Sequence, residues 1–296
     1  MESKILNLDS EVAKEALSKI EVIYTDLDGT LFAPGGRLLV DYSGKPSFAT
    51  AKAIVKLQEV GIKIVIITGR SRNQGNEIMK ILNADCFIGE MGTTKQENQN
   101  RPHEIVYDTG DYEWDSARYA TPHDAIEASG AIEALLERYP GKIEPNLPWS
   151  LGRDVTVSLR GCIDMDDARA FLKERGFALD ILDNGAMTNV KHNLVDCETV
   201  NGFHIVPANT SKALGISRDM TQHGYSPNEV VAIGDGFSDV MMGDFTGSFV
   251  LMANGADRQR NINRAELLPC NVFKTSGRCC DGWVEFANAI LDAKNA

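Results

Sequence analysis

Residues 22–32 read Val-Ile-Tyr-Thr-Asp-Leu-Asp-Gly-Thr-Leu-Phe, and this stretch decides the fold. Its opening, Val22 to Thr25, has the β-branched, apolar composition of a strand buried on both faces of a parallel sheet. The run ends in two carboxylates, Asp26 and Asp28, followed by Gly29 and Thr30. Desolvating carboxylates is costly, so acids at the end of a buried strand call for a compensating cation or substrate. Gly29 permits a sharp turn just there. Open α/β sheets bind their ligands outside the carboxyl ends of their strands. The plainer alternative is a turn with two solvated acids.

Two other stretches weigh against that alternative. Ile62 to Ile67 is a second buried-strand run and ends in Thr68-Gly69-Arg70-Ser71. Val230 to Ile233 is a third, ending in Gly234-Asp235-Gly236-Phe237-Ser238-Asp239. Adjacent parallel strands would gather these acids, hydroxyls and glycines on one edge of a sheet.

Outward from these strands, residues 5–19 carry apolar side chains at near-helical spacing, and residues 33–46 read as a loop. Helices are expected from Ser47 to Val60, ended by Gly61, and from Asn73 to Leu82, with a strand at Cys86 to Ile88. This alternation predicts an α/β fold with a doubly wound parallel sheet. Near Gly89 the pattern changes, and residues 95–121 are polar and irregular. A helix (His123 to Glu137), a strand (Val155 to Leu159), a helix (Asp164 to Glu174) and a strand (Phe177 to Leu182) follow. Two short strands, Ala186 to Val190 and Asn193 to Val195, precede a return to the core at His204 to Pro207. The expected organisation is a core of residues 1–89 and 204–296, with an α/β unit bearing an antiparallel sheet inserted at 90–203.

The chain has 296 residues, room for one large domain or two ordinary ones, and 43% hydrophobic with 24% charged residues suits a globular protein. A net charge of −12 argues against nucleic acid, which needs clustered Lys and Arg. It also repels an anionic substrate at long range, so local cations must compensate. No stretch approaches the ~20 apolar residues of a membrane span. The first 20 residues alternate acids and lysines, unlike a signal peptide, so a cytoplasmic location is expected. The six cysteines include no Cys-x-x-Cys pair and are expected as reduced structural thiols. The five histidines have no metal-ligand spacing, and each reads as a surface or packing residue.

The motifs together resemble those of the haloacid dehalogenase superfamily, in the branch with a large cap between its second and third motifs. Cof-type sugar phosphatases and sucrose-phosphatase-like enzymes belong to that branch. Asp26-Leu-Asp-Gly-Thr-Leu-Phe32 resembles the first motif, Ile66-Ile-Thr-Gly-Arg70 the second, Lys212 the third and Gly234-Asp-Gly-Phe-Ser-Asp239 the fourth. Weaker echoes lie at Met252-Ala-Asn-Gly255 and Asp281-Gly-Trp-Val284. Ser238 stands where the branch usually has Asn, and Ala213-Leu214-Gly215 where it often has Gly-x-Ala-Leu.

The resemblance implies a Mg²⁺-dependent phosphatase acting on a phosphorylated sugar or similar small metabolite through an aspartyl-phosphate. Phosphate monoesters need accelerations of up to ~10²¹, and positioning alone supplies only roughly 7–11 kcal/mol. Covalent catalysis and electrostatic stabilisation must add to it. Asp26 is the candidate nucleophile, and Asp28 the acid and base for the leaving oxygen and attacking water. Asp26, the backbone carbonyl of Asp28, Asp235 and Asp239 offer the oxygen ligands Mg²⁺ prefers. Thr68 and Gly69 would donate hydrogen bonds to the phosphoryl group, and Arg70 would bind the substrate beside Gly69. Lys212 would neutralise its charge and restrain Asp26. Glu90 to Thr93 would form a hinge, and Arg153, Asn189, Lys191 and His192 would read the leaving group. Two other readings stay open: a phosphosugar mutase returning the phosphoryl group to its sugar, and a ligand-binding module without turnover. The substrate and the oligomeric state are unassigned.

Overall fold

The computed structural model describes residues 3–98, 104–187 and 191–295. Its strands begin β1 (Ile5–Asn7), β2 (Val22–Thr25), β3 (Lys63–Ile67), β4 (Cys86–Gly89), β5 (Thr94–Glu97) and β6 (Ile105–Tyr107). They continue β7 (Ile143–Pro145), β8 (Val157–Gly161), β9 (Leu179–Met187) and β10 (Val200–Pro207). The last are β11 (Val230–Gly234), β12 (Ser248–Leu251) and β13 (Asn271–Lys274). Nine of these form one sheet in the order β1-β13-β12-β11-β2-β3-β4-β5-β6, and β7-β8-β10-β9 form a second. The large sheet is parallel in every pairing from β1 across to β4, and only the β4–β5 and β5–β6 pairings are antiparallel.

Strand β2 is fully buried at the middle of the large sheet. Its alternation sends Ile23 to one face, with Leu57, Phe87 and Trp283, and Tyr24 to the other, with Val65, Ile216 and Phe249. Helices therefore cover both faces, as a doubly wound sheet requires. Local signals set their ends. Ser71 and Gln74 form a capping box for helix Arg72–Leu82, and Ser211 caps helix Lys212–His223, which stops at Gly224 with φ +71°. The second sheet has its own core, built from Ile126, Leu135, Leu159, Leu172, Ile181 and Phe203.

Several expectations change here. Residues 5–7 pair with β13 instead of opening a helix, and the helix begins at Glu11 behind its cap Ser10. The polar stretch after Gly89 holds β5 and β6, which extend the large sheet. Lys95 of β5 pairs with Glu97 and with buried Asp219, so these polar residues are sheet residues. Gly130, at φ +82°, splits the expected helix into Pro122–Ala128 and Ala131–Arg138. Ala186 and Met187 continue β9, residues 188–190 lie outside the described residues, and Asn193 to Val195 is not a strand. The return to the core by His204 is also corrected. His204–Pro207 belongs to β10, whose pairing with both β8 and β9 makes it an inner strand of the small sheet.

The expectation of six reduced thiols is corrected as well. Cys162 and Cys197 form a disulfide with Cα atoms 5.7 Å apart, while Cys86, Cys270, Cys279 and Cys280 are free and buried. Sequence spacing hides the pair because a third segment brings it together. Lys142 O accepts from Cys162 N (2.9 Å), and Gly141 O accepts from Val195 N (2.8 Å). No helix among the described residues is long and apolar enough to cross a membrane.

Candidate functional site

Asp26 sits one residue past β2, buried, with its backbone fixed from the core. Trp283 Nε1 donates to Thr25 Oγ1 (3.1 Å), and Thr25 Oγ1 donates to the Asp26 carbonyl (2.8 Å). Gly29 then turns the chain at φ +85°, and a Cβ there would lie 2.6 Å from Asp235 Oδ1. Only glycine satisfies both the backbone angle and that approach. Asn254 Nδ2 donates to Gly29 O (2.9 Å), and Asn254 Oδ1 accepts from Cys279 N (3.0 Å). The two weaker sequence echoes thus hold the first motif in place.

Strand β11 lies beside β2 and delivers Asp235 and Asp239 to the same edge. Lys212, first residue of its helix, is buried between two carboxylates, with Nζ 2.8 Å from Asp26 Oδ1 and 2.7 Å from Asp239 Oδ1. Burial by itself lowers the Lys212 pKa, but Asp239 and Asp26 outweigh it and hold the ammonium charged. Burial pushes the Asp26 carboxyl well up, against Lys212, with Asp239 and Asp235 adding to the rise. Asp239 Oδ2 accepts from the amides of Asp235 (3.1 Å) and Gly236 (2.8 Å). Its remaining capacity is therefore on Oδ1, beside Lys212.

Asp26, Asp235 and Asp239 bring one carboxylate oxygen each within 4.8 Å of one another. Three carboxylates face one Lys212 ammonium, and burial and then Asp239 push the Asp235 carboxyl up to about 6, the mark of crowded like charge. An all-oxygen donor set with surplus charge fits a magnesium ion. On both counts, the residues suit the expected metal.

The carboxylates lie at the floor of a cavity of about 680 Å³ between the two sheets. Asp28 lines it, half exposed, held by Arg70 through Nε–Oδ2 and Nη2–Oδ1 bonds of 2.6 Å each. Arg70 is thus engaged with the expected acid and base. Thr68 is buried, and its Oγ1 accepts from Arg70 N at 3.3 Å, which leaves the hydroxyl proton for a ligand. The opposite wall comes from the second sheet, with Asn146, Trp149, Arg153, Ser158 and Asn184.

Among the described leaving-group readers, Arg153 lines the cavity and is buried, while Lys191 and His192 do not line it. Arg153 Nη1 donates to Gly69 O (3.1 Å) and Thr156 Oγ1 (3.0 Å), and burial lowers its pKa. Lys191 and His192 are exposed, and the β9 strand turns its Asp183–Met187 stretch to the cavity instead. Asn189 lies outside the described residues. Asp183 pairs with Arg260 across the cavity mouth, a contact between segments 77 residues apart that no local pattern reveals. His204 is a packing residue, kept neutral by burial and then by the nearby cations Arg153 and Lys212.

A family model for haloacid dehalogenase-like hydrolases matches residues 23–105 and 184–267, together more than half of the chain. A phosphoglycolate phosphatase of Methanoculleus marisnigri is 25% identical over 241 residues, covering 81% of this chain and 86% of that protein. A solved Thermoplasma acidophilum structure superposes with a TM-score of 0.64 at 14% identity, over 92% of this chain and 98% of that one. The sucrose-phosphatase of Synechocystis sp. PCC6803, solved with sucrose and phosphate, gives 0.59 at 15% identity over 92% and 95%. The chain belongs to the haloacid dehalogenase-like hydrolases, and its relatives place it among the phosphatases of that family.

Proposed function

We propose that the protein is a Mg²⁺-dependent phosphatase that hydrolyses a phosphorylated sugar or similar small metabolite through a phosphorylated Asp26. The observation that carries this reading is the buried bridge of Lys212 between Asp26 and Asp239, with Asp235 in reach, at the floor of a cavity. An Asp26 oxygen attacks phosphorus and the ester P–O bond breaks, the leaving oxygen taking a proton from Asp28. Water then attacks the phosphorylated Asp26, Asp28 takes its proton, and the P–O bond to Asp26 breaks. For each transfer the Asp28 carboxyl must turn from Arg70. Thr68 and Gly69 hold the phosphoryl oxygens, and Lys212 offsets their charge. A magnesium ion held by Asp26, Asp235, the Asp28 carbonyl and Asp239 would neutralise charge on the phosphoryl group.

The second sheet acts as the cap in this reading. Asn146, Ser158 and Asn184 offer amide and hydroxyl groups to a polyol leaving group. The relatives named for phosphoglycolate and sucrose phosphates support a small ester. The test is a phosphate-release screen over sugar, polyol and hydroxyacid phosphates with Mg²⁺. Turnover of a phosphoprotein alone would refute the small-ester reading.

The Asp235 carboxyl, pushed up to about 6, gives a metal-linked prediction. In metal-free protein, the native state keeps a proton that the unfolded chain loses between pH ~4 and ~6. Its stabilising contribution therefore falls as pH rises through that window, by about 3 kcal/mol in total. At neutral pH, Asp235→Asn should melt higher than the wild type without metal. MgCl₂ should raise the melting temperature of the wild type and leave the variant unmoved, as thermal unfolding with and without the salt will report.

A further inference from the structure

The loop Thr68-Gly69-Arg70 is held from behind at every carbonyl. Met91 N donates to Thr68 O (3.1 Å), Arg153 Nη1 to Gly69 O (3.1 Å) and Glu90 N to Arg70 O (3.0 Å). Across a trans peptide the carbonyl and the next N–H point opposite ways. Fixing the Thr68 carbonyl on Met91 therefore turns the Gly69 amide to the other side. Fixing the Gly69 carbonyl on Arg153 likewise turns the Arg70 amide, which meets Thr68 Oγ1. Two of these three donors come from residues 90 and 91, at positive φ of 49° and 65°, and the third comes from the second sheet's side of the cavity.

Glu90 explains how Arg153 reaches its place. Its carboxylate is fully buried and accepts from the amides of Asp154 (2.8 Å), Val155 (3.2 Å) and Thr156 (2.8 Å), and from Thr156 Oγ1 (3.0 Å). A buried carboxylate with this many donors is firmly oriented. Arg72 adds a pair to Asp154, 2.6 Å from Nε to Oδ2. Just beyond, a Cβ on Gly92 would lie 2.2 Å from the Ser211 carbonyl, so this segment also abuts the residue before Lys212.

We propose that Glu90 and Arg153 are positioning residues: Glu90 gathers the 154–156 backbone, and Arg153 thereby shapes the loop that receives the phosphoryl group. This rests on the phosphatase reading above and replaces the expectation that Arg153 reads the leaving group. The phosphoryl subsite is complete only when the second sheet is docked. Loss of Arg153 then slows every ester alike, whatever its leaving group.

The test compares wild type, Arg153→Met, Arg153→Lys and Glu90→Gln on p-nitrophenyl phosphate and glycerol 3-phosphate with Mg²⁺, alongside product inhibition by orthophosphate. Arg153→Met should lower kcat by roughly 10–100-fold, by the same factor for both esters. It should also weaken orthophosphate inhibition, and added guanidinium should restore part of the rate. Glu90→Gln should follow the same pattern, and Arg153→Lys should lose less. If Arg153→Met does not unfold cooperatively, Arg153→Lys carries the comparison. A rise in KM for glycerol 3-phosphate alone, or unchanged kinetics in all variants, would overturn the inference while leaving the phosphatase reading intact. A wild type inactive on every ester would instead sink that reading, and the inference with it.

Discussion

Asp26→Asn is expected to lower phosphate release by more than about a thousandfold on every ester the enzyme accepts, without lowering its melting temperature. The carboxamide matches the carboxylate in shape and still accepts from Lys212, but it does not attack phosphorus. The stability half follows from the site's charge. Burial, with Asp239 and Asp235 close by, pushes the Asp26 carboxyl well up despite Lys212, so removing that charge relieves a cost. Phosphate release and thermal unfolding on the same preparation check both halves. An activity within about tenfold of wild type would remove Asp26 as the nucleophile. Inactivity together with a large fall in melting temperature would assign it a structural role.

Lys212→Met is expected to do the opposite to stability while also abolishing turnover. It leaves Asp26 and Asp239 buried without the ammonium that touches both at 2.8 and 2.7 Å. Breaking a buried pair by removing one partner costs roughly 3–5 kcal/mol. The sign with pH is fixed by the shifts. The wild-type lysine, raised above its ordinary 10.5, keeps its full contribution through the neutral range and loses it only in strong alkali. In the variant, Asp26 is free to take a proton, so the destabilisation shrinks towards acid pH and grows as the carboxyl ionises. Lys212→Met with Asp26→Asn should recover part of the loss at neutral pH. Denaturant unfolding of the single and double variants at two pH values measures this, and equal stabilities for wild type and Lys212→Met would exclude the bridge as a stabilising contact.

The site was legible wherever chemistry follows directly from a strand end. Asp26, Thr68 and Asp235 each follow an apolar run whose burial forces it into the sheet, so position in the chain gives position at the edge. Lys212 was legible only through its resemblance to a motif, since nothing local distinguishes a buried lysine from a solvated one. Polar strands were lost. Thr94–Glu97 looks like loop until Lys95 is matched with Asp219, more than a hundred residues on. The wall facing the carboxylates was read least well. Lys191 and His192 have the right chemistry beside an expected strand end, yet β9 presents Asp183 to Met187 instead. Glu90 reads as a hinge residue in the sequence, but its partners are mainly the backbone amides of 154–156, which carry no side-chain signature, with the Thr156 hydroxyl beside them.

Strand β2 is fifth of nine in its sheet, and the strands that supply Thr68 and Asp235 are its immediate neighbours on either side. Local opening in proteins starts at margins and reaches central strands last. Amides of β1 and β6 should therefore exchange with deuterium long before those of β2, β3 and β11. The edge that carries the carboxylates should then exchange last within the large sheet, with fraying at either border leaving Asp26 and Asp235 in place.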